Sequence, residues 1–297
     1  MKHLKGPVAI SVLFLISLLP LKWAQGIGAA LGRRLWKGTG KAAVFTKKNV
    51  ELCFPNLSDN ERSELALQSL VETGRSAGEM GMSWMWSPER VLRKVRNVHG
   101  EDVLQEAMAE GRGVILIAPH LGNWEVLNLY LSKFYPLTAM YKPPKIKMMD
   151  DLIRKKRERI GSKLAPANIK GVRMAMKALK AGEMLGILPD QEPDDKGGVF
   201  APFFGVEAFS MKLLPQLAAQ TKAVVVSGYA KRLPGGEGFD LYFHRAEGDI
   251  ANKEIRLAAT EMNREVEFCV RQIPEQYQWE YGRFNTRPDN ETSLYRP

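Results

Sequence analysis

The sequence predicts an α/β fold, with a mixed, mostly parallel sheet flanked by helices and an N-terminal membrane-associated helix. Strand-like and helix-like patterns alternate from residue 98 onward, which is typical of parallel βαβ units. The run 113–119 is apolar throughout between its bounding Gly and Pro, as expected of a strand that is covered on both faces. An uncharged run of 15 residues, 7–21, precedes the alternating region.

The expected elements follow one another without a repeat or a break in composition over residues 58–297. Ser58-Asp59-Asn60-Glu61 is a capping-box pattern, which predicts one or two helices over 58–86. Strands are predicted at 113–119, 137–141, 184–188, 223–230 and 239–244. Helices are predicted at 101–110, directly after the strand 113–119, and at 147–160, 170–181, 209–220 and 252–272. A loop rich in Gly and Asp is expected over 194–198.

Positive charge is concentrated near the N-terminus. The chain of 297 residues carries a net charge of +10, yet residues 1–50 contain nine Lys or Arg and no acidic residue. These nine are Lys2, Lys5, Lys22, Arg33, Arg34, Lys37, Lys41, Lys47 and Lys48. Such a segment favours an anionic partner, either a phospholipid surface or a nucleic acid. We therefore predict a basic membrane anchor region at 1–50 and a single α/β domain at 51–297.

The apolar run 7–21 favours the membrane over nucleic acid. About 20 apolar residues are needed to span a bilayer, so this run suits an interfacial or half-inserted anchor, with spanning as an alternative if flanking lysines snorkel. A cleaved signal peptide is a further alternative, but no clear A-x-A site follows. Basic residues near Trp36 are typical of a segment at the level of the lipid headgroups. They predict that the rest of the chain lies on the cytoplasmic side of the membrane. No RNA-binding or helix-turn-helix motif is present.

Neither a disulfide framework nor a metal site is expected. Cys53 and Cys269 lie far apart without a CxxC motif and are predicted to be buried free thiols. The four histidines, His3, His99, His120 and His244, include no pair at ligand spacing.

The hexapeptide His120-Leu121-Gly122-Asn123-Trp124-Glu125 carries the strongest chemical signal. On one continuous helix its His and Glu would lie roughly 140° apart. If Gly122 turns the chain sharply and Glu125 begins a helix, the carboxylate can hold one ring nitrogen and leave the other as a general base. The unit contains no Ser or Cys nucleophile, so the reacting hydroxyl is expected on the substrate. The alternative is a histidine whose hydrogen bonds are satisfied at a strand end.

A second basic segment covers residues 142–180. It contains 13 Lys or Arg against three acidic residues. These are Lys142, Lys145, Lys147, Arg154, Lys155, Lys156, Arg157, Arg159, Lys163, Lys170, Arg173, Lys177 and Lys180. The segment suits binding of lipid phosphates or docking of an acidic carrier protein. Individually, most of these residues are equally compatible with a solvated surface.

The hexapeptide resembles the HX4(D/E) motif of the glycerolipid acyltransferase superfamily. Its Gly-Asn-Trp version resembles the late acyltransferases of lipid A assembly, the lauroyl and myristoyl transferases. The segment 274–288 is similar to the closing segment of that family. The strand end 188–191 and the loop 202–205 extend the resemblance over nearly the whole chain.

The resemblance implies an O-acyltransferase that moves a fatty acyl chain to a hydroxyl of a lipid A precursor at the cytoplasmic face of the inner membrane. It implies acyl carrier protein as the donor, with acyl-CoA as the alternative, and neither a cofactor nor a metal. In that family His120 would be the base, Glu125 would orient it, and Arg157 or Arg159 would bind substrate.

Three further residues are predicted to bind substrate, namely Asn123 within the hexapeptide and Asp190 and Gln191 at a strand end. The expected partners are acyl carrier protein, the lipid A precursor and membrane phospholipid. Alternatives remain open, namely transfer to another lipid such as a lysophospholipid, an ornithine lipid or a glycolipid, hydrolysis by the same pair, and a non-catalytic basic membrane adaptor.

Overall fold

The computed structural model describes residues 5–295, so Lys2 and His3 lie outside the described residues. The α-helices are α1 (Lys5–Ser17), α2 (Leu21–Trp36), α3 (Lys41–Cys53), α4 (Asp59–Met85), α5 (Pro88–Leu92), α6 (Glu101–Ala109), α7 (Trp124–Phe134), α8 (Lys147–Arg157), α9 (Ile169–Lys180), α10 (Leu213–Thr221) and α11 (Ile255–Gln272). The strands are β1 (Val95–His99), β2 (Val114–Ile117), β3 (Leu137–Tyr141), β4 (Lys163–Pro166), β5 (Met184–Ile187), β6 (Gly198–Phe203), β7 (Val206–Met211), β8 (Val224–Arg232) and β9 (Phe239–Arg245).

Seven strands form one sheet in the order β1-β9-β8-β2-β5-β3-β4. Only β8 and β9 run antiparallel to each other, and the other neighbouring pairs of this sheet are parallel. The predicted mixed, mostly parallel sheet is therefore confirmed. Strands β6 and β7 form a separate antiparallel hairpin.

The central strands divide the core into two layers. In β2, Val114 and Leu116 pack with residues of α6 and α7, whereas Ile115 and Ile117 pack with residues of α9, α10 and α11. Successive side chains of a strand point to opposite faces, so an entirely apolar β2 requires helices on both faces. The cysteines Cys53 and Cys269 are buried and free, as expected.

The predicted capping box is confirmed at the start of α4. The side chain of Ser58 accepts a hydrogen bond from the backbone N–H of Glu61, and the carboxylate of Glu61 accepts one from the backbone N–H of Ser58. These two bonds satisfy donors that a helix N-terminus otherwise leaves unpaired. One unbroken helix of 27 residues follows.

Several element predictions were wrong. The helix predicted at 209–220 begins only at Leu213, because residues 206–211 pair with β6 across a turn in which Phe204 and Gly205 adopt positive φ. The helix predicted at 147–160 ends at Arg157 and continues as a short 3-10 turn. Strands β1 and β4 were not predicted. Both are short edge strands, whose pairing depends on the neighbouring strand more than on their own pattern.

The apolar run 7–21 does not form one helix. It is divided between α1 and the start of α2, with Pro20 at the N-cap of α2. Proline lacks the N–H that a continuing helix would need. Over residues 5–295, no helix is both long enough and apolar enough to cross a membrane. The predicted domain boundary at residue 50 falls within α3 and stays a prediction.

Glycines bring α2 into close contact with α4. A Cβ added at Gly28 would lie 2.0 Å from the backbone oxygen of Gly74, and one added at Gly32 would lie 2.1 Å from that of Leu70. Both contacts leave no space for a side chain. The N-terminal helices are thereby held directly against the long helix α4.

We expect Gly28→Ala to lower the free energy of unfolding by about 1–3 kcal/mol, because the added methyl group forces two backbones apart. Gly26→Ala on the same helix is the matched control. No atom lies within 4 Å of a Cβ added at Gly26, so this change should stabilise α2 by about 0.5–1 kcal/mol. Urea denaturation of both variants measures the difference, and equal stabilities would contradict the close packing.

Candidate active site

The site lies where two neighbouring parallel strands end. Strand β2 pairs with β5, and Ile117 at the end of β2 lies opposite Ile187 at the end of β5. His120 follows β2 by three residues, and Asp190 follows β5 by three residues. Because parallel strands end at the same edge, these two side chains meet.

Asp190 holds the His120 ring. One carboxylate oxygen accepts a hydrogen bond from the backbone N–H of His120 at 2.9 Å, and the other lies 2.9 Å from its Nδ1. Asp190 is only 2% exposed. Burial acts to raise its pKa, but the charge of His120 and the hydrogen bonds from His120 outweigh burial, so the pKa of Asp190 lies below its usual value. Because an ionised carboxylate can only accept hydrogen bonds, the Nδ1–H group of His120 donates to Asp190, which leaves Nε2 as the basic nitrogen.

This geometry corrects the expected pairing of His120 with Glu125. The carboxylate that orients the ring is Asp190, which the sequence had assigned to substrate binding. Glu125 lies in the first turn of α7, as expected, but its carboxylate accepts hydrogen bonds from Arg157 at the end of α8. The pair is largely buried, with side-chain exposures of 7% for Glu125 and 20% for Arg157. Burial acts to lower the pKa of Arg157, but the charge of Glu125 and its hydrogen bonds raise it above the usual value.

Gly122 permits the turn between His120 and α7. Its φ is +61°, and a Cβ at this position would lie 2.0 Å from the backbone oxygen of Ala230 on β8. Glycine is therefore required both by the dihedral angle and by the close approach. The closing segment fixes the other side of the loop, because Gln278 donates its backbone N–H to the His120 carbonyl and Gln276 accepts the N–H of Gly122.

Asn123 caps α7 instead of facing the cavity described below. Its Oδ1 accepts a hydrogen bond from the N–H of Val126, and its Nδ2 donates to Glu79 of α4 at 2.8 Å. Both polar ends of the side chain are used within the protein. Its predicted contact with substrate stays a prediction, and its observed role is to hold the start of α7.

Glu79 belongs to a buried charged cluster that the sequence did not reveal. It is fully buried and accepts hydrogen bonds from Gln25 of α2, Asn123 and Arg232 of β8. Arg232 also donates to Glu72, which lies two helical turns before Glu79 on α4. No local pattern marks these residues as partners, because they are far apart in the sequence.

Arg159 is likewise engaged within the protein. Its guanidinium donates hydrogen bonds to the carbonyls of Ser83, Trp84 and Trp86 at the end of α4. A cation at this position complements the negative end of the helix dipole. Arg157, and not Arg159, is the arginine that lines the same cavity as His120.

An apolar cavity of about 550 Å³ opens beside His120. Its polar rim includes His120, Arg157 and Gln191, three of the predicted site residues. Its interior is lined by apolar side chains of the sheet, of α7 and of the residue that follows β5, namely Leu116, Leu127, Leu131, Leu137, Ala139 and Leu188. The arrangement can hold a long apolar chain with its reactive end at the imidazole.

The part of the chain within 5–295 brings no three His, Cys, Asp or Glu side chains together as a metal ion would require. At this edge the structure places a carboxylate-oriented histidine, a largely buried arginine and the N-terminus of α7.

Residues 6–286 match the model of a family described as bacterial lipid A biosynthesis acyltransferase. The chain is 31% identical over 290 residues to the lipid A biosynthesis lauroyltransferase of Escherichia coli (strain K12), with 97% of this chain and 94% of that protein covered. It is 31% identical to the palmitoleoyltransferase of the same strain, covering 96% and 92%. It is 25% identical to the myristoyltransferase, covering 95% and 87%.

The lowered pKa of Asp190 links stability to pH. Because the folded pKa lies below the unfolded value of about 4, the stabilisation is complete above that pH and is lost as the pH falls toward the folded pKa. We expect Asp190→Asn to be less stable than the wild type at neutral pH, with a difference that shrinks below about pH 4. Urea denaturation across this range measures it, with Asp195→Asn as an exposed control. A difference independent of pH would contradict the pairing.

Proposed function

Because the chain belongs to the bacterial lipid A biosynthesis acyltransferase family, we propose that it moves a fatty acyl chain from acyl carrier protein to a hydroxyl of a lipid A precursor. The observation that supports this reaction is the His120–Asp190 pair at the mouth of an apolar cavity. A base at the cavity mouth meets an acyl chain at its thioester end.

In the proposed reaction, Nε2 of His120 accepts the proton of the acceptor hydroxyl while the hydroxyl oxygen attacks the carbonyl carbon of the thioester. Asp190 stabilises the imidazolium that forms, because its ionised carboxylate already accepts a hydrogen bond from Nδ1–H. The tetrahedral oxyanion then collapses, the carbon–sulfur bond breaks, and the imidazolium returns its proton to the departing thiolate. The products are the ester and the free carrier thiol, with no covalent intermediate on the enzyme.

Arg157 supplies a fixed positive charge near the developing oxyanion or a substrate phosphate. Glu125 holds this guanidinium in place, so we assign Glu125 an indirect part in which it positions Arg157. First-turn N–H groups of α7 add positive potential at the same edge. Asn123, Arg159 and Gln191 stay candidates for substrate contact, and of these three only Gln191 lines the cavity.

The donor is inferred from charge. Nine of the 13 basic residues between 142 and 180 are exposed, and Lys142 among them lines the cavity. An acidic carrier protein would find complementary charge there, and acyl-CoA would offer its phosphates to the same surface.

We place the protein at the inner membrane, with its catalytic domain on the cytoplasmic side. The exposed face of α2 carries an apolar stripe at helical spacing, in which Trp23 is 65%, Ile27 56% and Leu31 51% exposed. Arg33 and Arg34 lie in the last turn of the same helix. An apolar stripe with neighbouring basic residues suits the surface of an anionic bilayer.

The reaction is tested by mass spectrometry of lipid A from a strain that lacks the gene. We expect one acyl chain to be missing and to be restored by the wild-type copy. An assay of the purified protein with acyl donor and alternative acceptors distinguishes the proposed reaction from the other candidate functions. Acylation of another lipid would identify a different acceptor. Free fatty acid formed without an acceptor would indicate a hydrolase. Absence of both products would favour the non-catalytic adaptor.

We expect His120→Ala to lower acyl transfer by at least about a hundredfold, because no other group removes the hydroxyl proton. Asp190→Asn should also lower kcat and alter its dependence on pH, because it leaves the ring without its charged partner. Glu125→Gln should lower the rate without that change in pH dependence. His99→Ala, an exposed histidine, is the control and should retain activity. An unaltered rate for His120→Ala would refute the mechanism.

We expect the double substitution of Ile27 and Leu31 by Asp to weaken binding to vesicles containing phosphatidylglycerol by about tenfold or more, because two apolar contacts are lost. Co-sedimentation with the vesicles measures the change. Phe134→Asp is the control, because Phe134 is an equally exposed apolar residue outside the N-terminal helices. Equal losses in both variants would show that the stripe has no special part.

A further inference from the structure

We propose that Gly186 of β5 determines the length of the acyl chain that the cavity accepts, and this inference rests on the proposed transfer reaction. Gly186 lines the cavity in the middle of the sheet. Its missing side chain leaves the passage open between the reactive end at His120 and the far end of the cavity.

Three neighbouring strands present a row of side chains along the cavity at this level. Gly186 is paired with Leu116 of β2 on one side and with Ala139 of β3 on the other, and all three line the cavity. Two of the three positions in this row carry a very small residue. The row is therefore the level at which the sheet leaves space for a chain.

The cavity continues past this row in one direction. Strand β3 lines it from Tyr141, at the same edge as His120, to Leu137 at the other end of the strand. Four residues of strand cover about 13 Å, so the cavity follows β3 over a length that can hold much of an extended acyl chain. Leu137 and Leu131 of α7 line the cavity and are almost fully buried, from which we infer that they close its far end.

The backbone gives no reason for glycine at position 186. The φ angle of Gly186 is not positive. A Cβ added there would meet only Cδ1 of Leu137, at an ordinary contact distance of 3.6 Å. The other strand glycines differ, because a Cβ at Gly228 would lie 2.7 Å from Phe243 and one at Gly198 would lie 2.5 Å from Phe209.

Glycine within a strand weakens it and often marks the close approach of a ligand. At Gly228 and Gly198 an aromatic ring already occupies the space above the glycine. At Gly186 the space belongs to the cavity. An acyl chain passing over the row is the occupant that fits an apolar passage of this length beside the proposed catalytic base.

The test compares acyl transfer from a series of saturated donors of increasing length. We expect Gly186→Leu to lower the rate with the longest donor that the wild type uses by about tenfold or more, with a much smaller loss for shorter donors. Gly186→Ala should shift the profile in the same direction but less. Ala139→Leu should act like Gly186→Leu, because it blocks the same row from the adjacent strand.

A variant that opens the cavity protects the test against simple misfolding. We expect Leu137→Ala to extend the profile toward longer donors, because it removes part of the closed end. Leu185→Met is the matched control, since Leu185 packs on the opposite face of β5 and the exchange conserves volume. Its length profile should equal that of the wild type.

Displacement of a fluorescent fatty acid by unlabelled fatty acids measures chain-length selection without transfer. One outcome is that the wild type transfers no acyl chain, while Gly186→Leu binds long fatty acids more weakly than the wild type does. That outcome would support the role of Gly186 and refute the transferase. Transfer with one length profile for the wild type, Gly186→Leu, Ala139→Leu and Leu137→Ala would refute Gly186 and leave the transferase intact. If no fatty acid displaces the probe and the transfer profile is the same in all variants, the role of Gly186 is likewise refuted.

Discussion

The rest of the structure depends on the buried ion pair between Arg232 and Glu79. Arg232 on β8 donates to both carboxylate oxygens of Glu79 on α4, and neither side chain is appreciably exposed. Burial acts to lower the pKa of Arg232, but the charges of Glu79 and Glu72 raise it above the usual value. Removing one partner of such a pair leaves an uncompensated buried charge, which typically costs about 3–5 kcal/mol.

This pair joins three parts of the molecule that perform different tasks. Glu79 accepts hydrogen bonds from Gln25, which anchors α2, and from Asn123, which caps the helix that carries Glu125. The exposed stripe on α2 and the start of α7 are therefore attached to the same carboxylate. The surface that we propose docks on a bilayer is in this way held at a constant position relative to the cavity mouth.

The charged groups at the cavity mouth form two separate pairs. His120 is oriented by Asp190, and Arg157 is held by Glu125, so each cationic or basic group has its own carboxylate. Both pairs are shielded from solvent, where electrostatic interactions are stronger than at the surface. In the proposed reaction the imidazole gains and loses a proton while the guanidinium, which lines the same cavity, stays charged.

Local sequence patterns determined the central strands, the capping box at Ser58, the turn at Gly122 and the position of His120 behind β2, because each depends on residues that are close along the chain. Tertiary structure alone decided that Asp190 and not Glu125 orients His120, that Arg232 meets Glu79, and that α2 packs on α4 through Gly28. These contacts join residues distant in sequence, and edge strands such as β4 likewise acquire their structure from a neighbour. The spacing of apolar residues in the sequence indicates which face of a helix or strand is buried. The partner that this face packs against is decided only by the packing of the whole chain.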